Sequence, residues 1–252
     1  LTPYTTTQIL QLVFWMKLPY LLTELGCLWI VGKIYADRKV EAWNSWLWSP
    51  VLIFSTYIFG QYRIFSAFLM WCVLYAVLKN KKPLAALSFG ALCLMENYPF
   101  YLLLPSLLIL GEGWKERLKL LGFVSLPLIL LLVPLAMSSK GYVFYAYFSP
   151  VIAKTVSRGI FYHYPELTGV LGKLILGAAF LGTLYVLLRR KRSEVPGDRY
   201  RLFIYVNAAL LFVLYAVSTT TVHYFMWILP FFVALRLEGQ PWKKGLSTVL
   251  IA

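Results

Sequence analysis

KNKKPLAALSFGALCLMENYPFYLLLPSLLILGEGWKERLK, residues 79–119, carries the organisation of the whole chain on a small scale. Lys79, Lys81 and Lys82 stand at one end, and Lys115, Arg117 and Lys119 at the other. Between them, residues 83–111 are apolar except around Glu96-Asn97. Basic residues gather on the cytoplasmic side of membrane helices, so two positive ends require an even number of crossings. The available length allows two limbs of about 13 residues, each roughly 20 Å long. The break falls at Glu96-Asn97-Tyr98-Pro99, because proline cannot continue an incoming helix. Two half-length helices meeting at a polar tip place that tip below the outer membrane surface. There it must face protein or a water-filled cavity.

The same pattern extends in both directions. The chain has 252 residues, of which 60% are hydrophobic, and sets 24 Lys and Arg against 10 Asp and Glu. Most charges fall in short clusters, at 33–39, 79–82, 115–119, 189–201 and 236–244, separated by apolar runs. The fold class this predicts is all-α: a polytopic membrane helix bundle with short helical hairpins. The net charge of +14 then needs no nucleic acid, whose binders carry their basic residues on a solvated face. A first apolar run at 9–31 crosses inward. Residues 43–78 lie between two basic clusters and cross twice, with the break at Gly60-Gln61-Tyr62-Arg63. Residues 120–137, 169–188, 204–217 and 224–235 supply four more crossings. Residues 1–252 thus form a single transmembrane domain with about nine to ten crossings and one long external loop at 138–168. The start at Leu1 rather than Met, and the end inside an apolar run opening at Leu246, read as an internal piece of a longer protein.

The charges that escape the cytoplasmic clusters are the ones with chemical interest. Among acids these are Glu24, Glu96 and Glu166; among bases, Lys17, Arg63, Lys140, Lys154, Arg158 and Lys173. An ionisable group at membrane depth is expensive and marks function by default. Glu96 is therefore the candidate catalytic residue, as a general base, with structural pairing to a cation such as Arg63 as its alternative. Arg63 beside Gln61 offers a bidentate clamp for a phosphate, against a surface arginine that reaches back to water. Lys154 and Arg158 give the external loop positive charge that an anionic ligand or solvent would offset. Lys17 and Glu24, seven residues apart, share a helix face and suggest a buried structural pair. His223 offers a hydrogen bond to a phosphate or sugar, or merely caps a helix. The aromatic stretch 142–148 suits an interfacial belt better than a sugar-stacking platform. Cys27, Cys72 and Cys93 have no metal spacing and read as free buried thiols, and no His/Cys metal set, Gly-rich phosphate loop, HExxH or GxSxG element occurs.

Two segments resemble the large polytopic glycosyltransferases of the GT-C type, in particular their mannosyltransferase-like members. One runs from Trp48-Ser49-Pro50 through Gly60-Gln61-Tyr62-Arg63 to Glu96-Asn97-Tyr98-Pro99 and Leu104-Pro105. The other is His223 to Pro230, similar to the family's His-aromatic-Trp-x-Leu-Pro helix. Arg63 stands where the family commonly has Asp, and Glu96-Asn97 where a Lys is frequent, so an ion pair between the tips would survive with reversed polarity. The resemblance implies transfer of a mannose-like hexose from a polyprenyl-phosphate-linked sugar to an acceptor hydroxyl at the external or lumenal face. It further implies that the acceptor's general base lies in an upstream external loop. Gln61, Arg63, Asn97, Tyr98, Lys154, Arg158 and His223 are then the candidates for binding sugar or lipid phosphate. No metal ligand is assigned, and a divalent cation and an accessory membrane subunit stay open. The location implied is the plasma membrane or the endoplasmic reticulum. Two other classes remain in play: a transporter or lipid flippase, which also uses broken helices with polar tips, and a non-catalytic scaffold paralogue.

Overall fold

The computed structural model describes residues 6–58, 62–96, 98–138, 169–189, 196–217 and 222–238, and every regular element among them is helical. In chain order the longer elements are α1 (Thr6–Ile34), α2 (Lys39–Leu47), α3 (Arg63–Leu78), α4 (Lys82–Met95), α5 (Tyr98–Leu110), α6 (Trp114–Ser138), α7 (Gly169–Arg189), α8 (Pro196–Ala216) and α9 (Leu229–Glu238). Two described stretches are long and apolar enough to cross a membrane, Val13–Ile34 and Gly197–Ala216. Arg63–Leu78, Lys82–Met95, Tyr98–Leu110 and Leu174–Arg189 are apolar but shorter.

The break in the 79–119 stretch falls where the proline places it. Helix α4 ends at Met95, Glu96 turns extended at φ −143° and ψ 156°, and α5 begins at Tyr98 with Pro99 in its first turn. At that position the missing proline N–H is an orphan in any helix. The Gly60-Gln61 part of the other break lies outside the described residues, but α3 does restart at Arg63.

Two expected crossings are not single helices. The incoming limb of 43–78 is cut at Trp48-Ser49-Pro50: α2 ends at Leu47 and Ser49 is extended at ψ 121°. A helical turn, Pro50–Leu52, then opens into a π-helical turn, Ile53–Ile58. The residue before a proline is pushed out of the helical region, which explains the cut. Each piece is about 13 Å long or less, too short to cross a bilayer alone. The 224–235 segment is cut likewise, into a 3₁₀ turn, Val222–Trp227, and α9, which starts one residue before Pro230.

One end of the bundle collects the charges. Lys82 binds Glu112 at 2.6 Å and Glu116 at 2.9 Å, and Arg199 reaches Glu112 at 2.9 Å and donates to the Asn80 side-chain Oδ1 at 2.8 Å. These contacts tie the α3–α4 turn, the α5–α6 turn and the start of α8 together. Tyr35 and Tyr200 share a hydroxyl hydrogen bond at 3.0 Å, Arg38 donates to the Leu237 carbonyl, and Arg201 pairs with Glu238. The ends of α1 and α9 join the same cluster. The clusters at 33–39, 79–82, 115–119, 199–201 and 236–238 therefore sit at one basic end, as the alternation of charged and apolar runs requires.

Between the ends, packing is apolar and close. A Cβ on Gly90 of α4 would stand 2.1 Å from the Val124 carbonyl oxygen of α6, so these backbones touch at a glycine. Trp46 and Trp71 meet edge to face at 5.8 Å between α2 and α3. Outside this core, large apolar side chains are left bare: Trp15, Leu22 and Trp29 on α1, Leu130 on α6, and Leu181 and Val186 on α7 are each at least 60% exposed.

Candidate functional site

At the end of α3 and α4 away from the basic cluster, Arg63 and Glu96 meet. Arg63 Nε lies 3.7 Å from Glu96 Oε1, and each residue is only 6% exposed. Arg63 is the first residue of α3, where the helix dipole is already positive, so it needs a counter-charge from elsewhere. Glu96 supplies it from the break between α4 and α5. Ser66, one turn along α3 on the same face, donates its hydroxyl to Glu96 Oε1 at 3.1 Å. The charge pair is thus a tie between the tips of two helical hairpins. The pairing with Arg63, one of the two readings open for Glu96, is present in the structure.

Aromatic rings wall the pair. Arg63 Cζ stands 5.4 Å from the centroid of Trp227 and 5.5 Å from that of Tyr62, both within cation–π range. Tyr98 stacks on Trp227 with centroids 4.7 Å apart and 24° between the planes. The Trp227 side chain also interacts with Glu96. The 3₁₀ turn that carries Trp227 packs against α3 and against the 50–58 segment. Phe65, two residues into α3, packs on Tyr20 of α1 at 5.5 Å. Tyr20 is seven residues inside the Val13–Ile34 span, so the cluster lies about 10 Å along the axis from that span's first residue.

The other candidates divide. Tyr98 belongs to the cluster, buried at 2% exposure. His223 falls in the same 3₁₀ turn as Trp227, one turn away. Gln61, Asn97, Lys154 and Arg158 lie outside the described residues, as do the 142–148 aromatics. Lys17 and Glu24 are not paired. Seven residues of helix separate them by about 10 Å, and Lys17 Nζ instead donates to the Thr56 carbonyl oxygen at 3.5 Å and stands 5.3 Å from the Tyr20 ring. Cys27, Cys72 and Cys93 are free thiols. Among the described residues, no three His, Cys, Asp or Glu side chains gather as a metal set.

Four residues near the pair were not singled out by a reading of the sequence alone. Ser66 has a signal in its i, i+3 spacing from Arg63. Trp227 has one in the His-aromatic-Trp run, but nothing there says which cation it covers. Ser55 and Thr56, on the π-helical turn, are buried at 0% and 1% exposure. They have no sequence signal, since their place depends on the cut at Pro50.

No protein-family model, no curated protein and no solved structure matches the chain.

Proposed function

We propose that the chain is a multi-pass membrane protein that transfers a mannose-like hexose from a polyprenyl-phosphate sugar to an acceptor hydroxyl. The membrane part of the reading is supported by the single basic end, which suits the cytoplasmic surface, and by bare Trp, Leu and Val side chains on α1, α6 and α7, which suit lipid. The observation that carries the site is the buried Arg63–Glu96 tie at the meeting of two half-length helices, faced by the Tyr98–Trp227 stack. Its position at the end away from the basic cluster supports a site on the external side.

The parts have distinct tasks. Glu96 is committed to Arg63 and Ser66, so it holds the two hairpin tips in register. The base that deprotonates the acceptor is then an acid outside the described residues. The Tyr98–Trp227 stack, with both rings buried, braces the Arg63 guanidinium and so fixes the wall of the site. His223, in the same Val222–Trp227 turn as Trp227, is the proposed donor to the sugar or its phosphate. Positioning of this kind lowers the barrier by fixing the reacting groups before reaction.

The test is a transfer assay on the full protein in proteoliposomes, with polyprenyl-phosphate mannose as donor. Trp227→Ala and His223→Ala should each reduce transfer about tenfold or more, the loss that follows from one positioning contact. If both variants transfer within twofold of the native rate, the site is misplaced. The mutual satisfaction of Arg63 and Glu96 also fits a non-catalytic scaffold. Absence of both transfer and lipid flux in the folded, full protein would select that reading.

A further inference from the structure

We propose that Lys17, Ser55 and Thr56 form an anion subsite, beside the Arg63–Glu96 tie, that receives a phosphate-type group. The ammonium of Lys17 is half-buried against the 50–58 segment, with the Thr56 carbonyl oxygen at 3.5 Å. Among the described residues it has no acid within ion-pair distance, while Arg63 has Glu96. The three ionic groups of this region thus leave one positive charge over, and that charge belongs to Lys17. The Ser55 and Thr56 hydroxyls, buried at 0% and 1% exposure, have no hydrogen-bond partner. Buried hydroxyls are otherwise nearly always paired. Both lie on a π-helical turn, a distortion that recurs at functional sites. This turn packs on the Val222–Trp227 turn, and Tyr20, beneath the Lys17 ammonium, packs on Phe65 close to Arg63.

The chemistry selects the ligand's sign and type. An ammonium repels a cation, and an ammonium without an acid beside two buried hydroxyls without partners calls for an acceptor-rich group. Phosphate presents three strong acceptor oxygens; a neutral sugar presents none with a charge. The bland alternative is a lysine that extends along the helix toward water. It leaves Ser55 and Thr56 unexplained. The subsite deepens the transferase reading, and rests on it for the lipid's identity but not for the binding itself.

The experiment is a titration of the purified full chain, in neutral detergent, with undecaprenyl phosphate, undecaprenol and inorganic phosphate. The native protein should prefer the phosphate lipid to the alcohol by about tenfold or more, the ratio expected of charge-assisted hydrogen bonds. Lys17→Met should abolish that preference and Lys17→Arg should keep it. The Ser55→Ala/Thr56→Val double variant keeps the proposal testable if Lys17→Met fails to fold. Removing unpaired hydroxyls should leave thermal stability unchanged or raised, yet weaken phosphate-lipid binding. Competition by inorganic phosphate would assign the subsite to the phosphate group alone, and its absence to a phosphate on a lipid; either supports the anion subsite. Preference retained within twofold in both variants overturns it. A Lys17-dependent preference without any sugar transfer would sink the transferase and keep the subsite. Normal transfer with unchanged KM in Lys17→Met would do the reverse.

Discussion

Arg63 and Glu96 show what a buried pair of opposite charges does at the tips of two helical hairpins. Both are 6% exposed, so removing one leaves an uncompensated ion in a medium that solvates it poorly. Arg63→Met or Glu96→Gln alone should destabilise the protein by about 3–5 kcal/mol, whereas the double variant should lie near the native protein. Thermal unfolding of all four proteins in one detergent checks this. Additive losses would mean that the two residues act independently. The pair was within reach of the sequence, because each is a lone charge at the tip of an otherwise apolar hairpin. The Lys17–Glu24 pair was wrong for an equally physical reason. A shared helix face says nothing of distance along the axis, and the group that does reach Lys17, the Thr56 backbone, comes from a segment 39 residues away.

At the scale of the element, prolines and one glycine decide the geometry. Pro99 made the α4–α5 break legible. Pro50 and Pro230 were equally visible, yet the charge alternation assigned a crossing to the run around each, and hydropathy does not register a cut between two apolar pieces. The α4–α6 contact turns on Gly90. A Cβ there would meet the Val124 carbonyl oxygen at 2.1 Å, which is backbone and cannot rotate aside. On Gly26 of α1 it would meet the edge of the Phe68 ring at 2.7 Å, and a ring can move. Gly90→Ala should therefore lose at least the roughly 1–3 kcal/mol typical of overpacking, and Gly26→Ala clearly less. Comparing the melting temperatures of the two variants tests the ranking. A smaller loss at Gly90 than at Gly26 would mean that α4 and α6 can part without penalty.

The whole molecule is held at its basic end by few acids among many bases. The alternation of basic clusters and apolar runs predicted that those clusters lie together, and contacts from Lys82, Arg199, Arg201, Tyr35 and Arg38 join them. What the alternation could not say is which acid does the joining. Glu112 does most of it, accepting from both Lys82 and Arg199. The hydrogen bond from Lys82, then its charge, with Arg199 adding to both, hold the Glu112 carboxyl below its ordinary value of 4.5. A carboxyl whose pKa is lower folded than unfolded adds stability that is complete above the unfolded value. That stability fades as the pH falls through the lowered one. The native protein should thus be more stable than Glu112→Gln at pH 7, by the modest amount an exposed pair allows, about 0–1 kcal/mol. The gap should hold down to about pH 4.5 and close below it as the native carboxylate takes up its proton. Added salt should narrow the gap at pH 7, because the Glu112 carboxylate is solvent-exposed. Paired thermal melts of the two proteins from pH 7 to pH 3, at low and high salt, measure this directly. A gap that neither pH nor salt alters would mean that Glu112 joins the helix ends by shape and hydrogen bonding alone, with its charge contributing nothing.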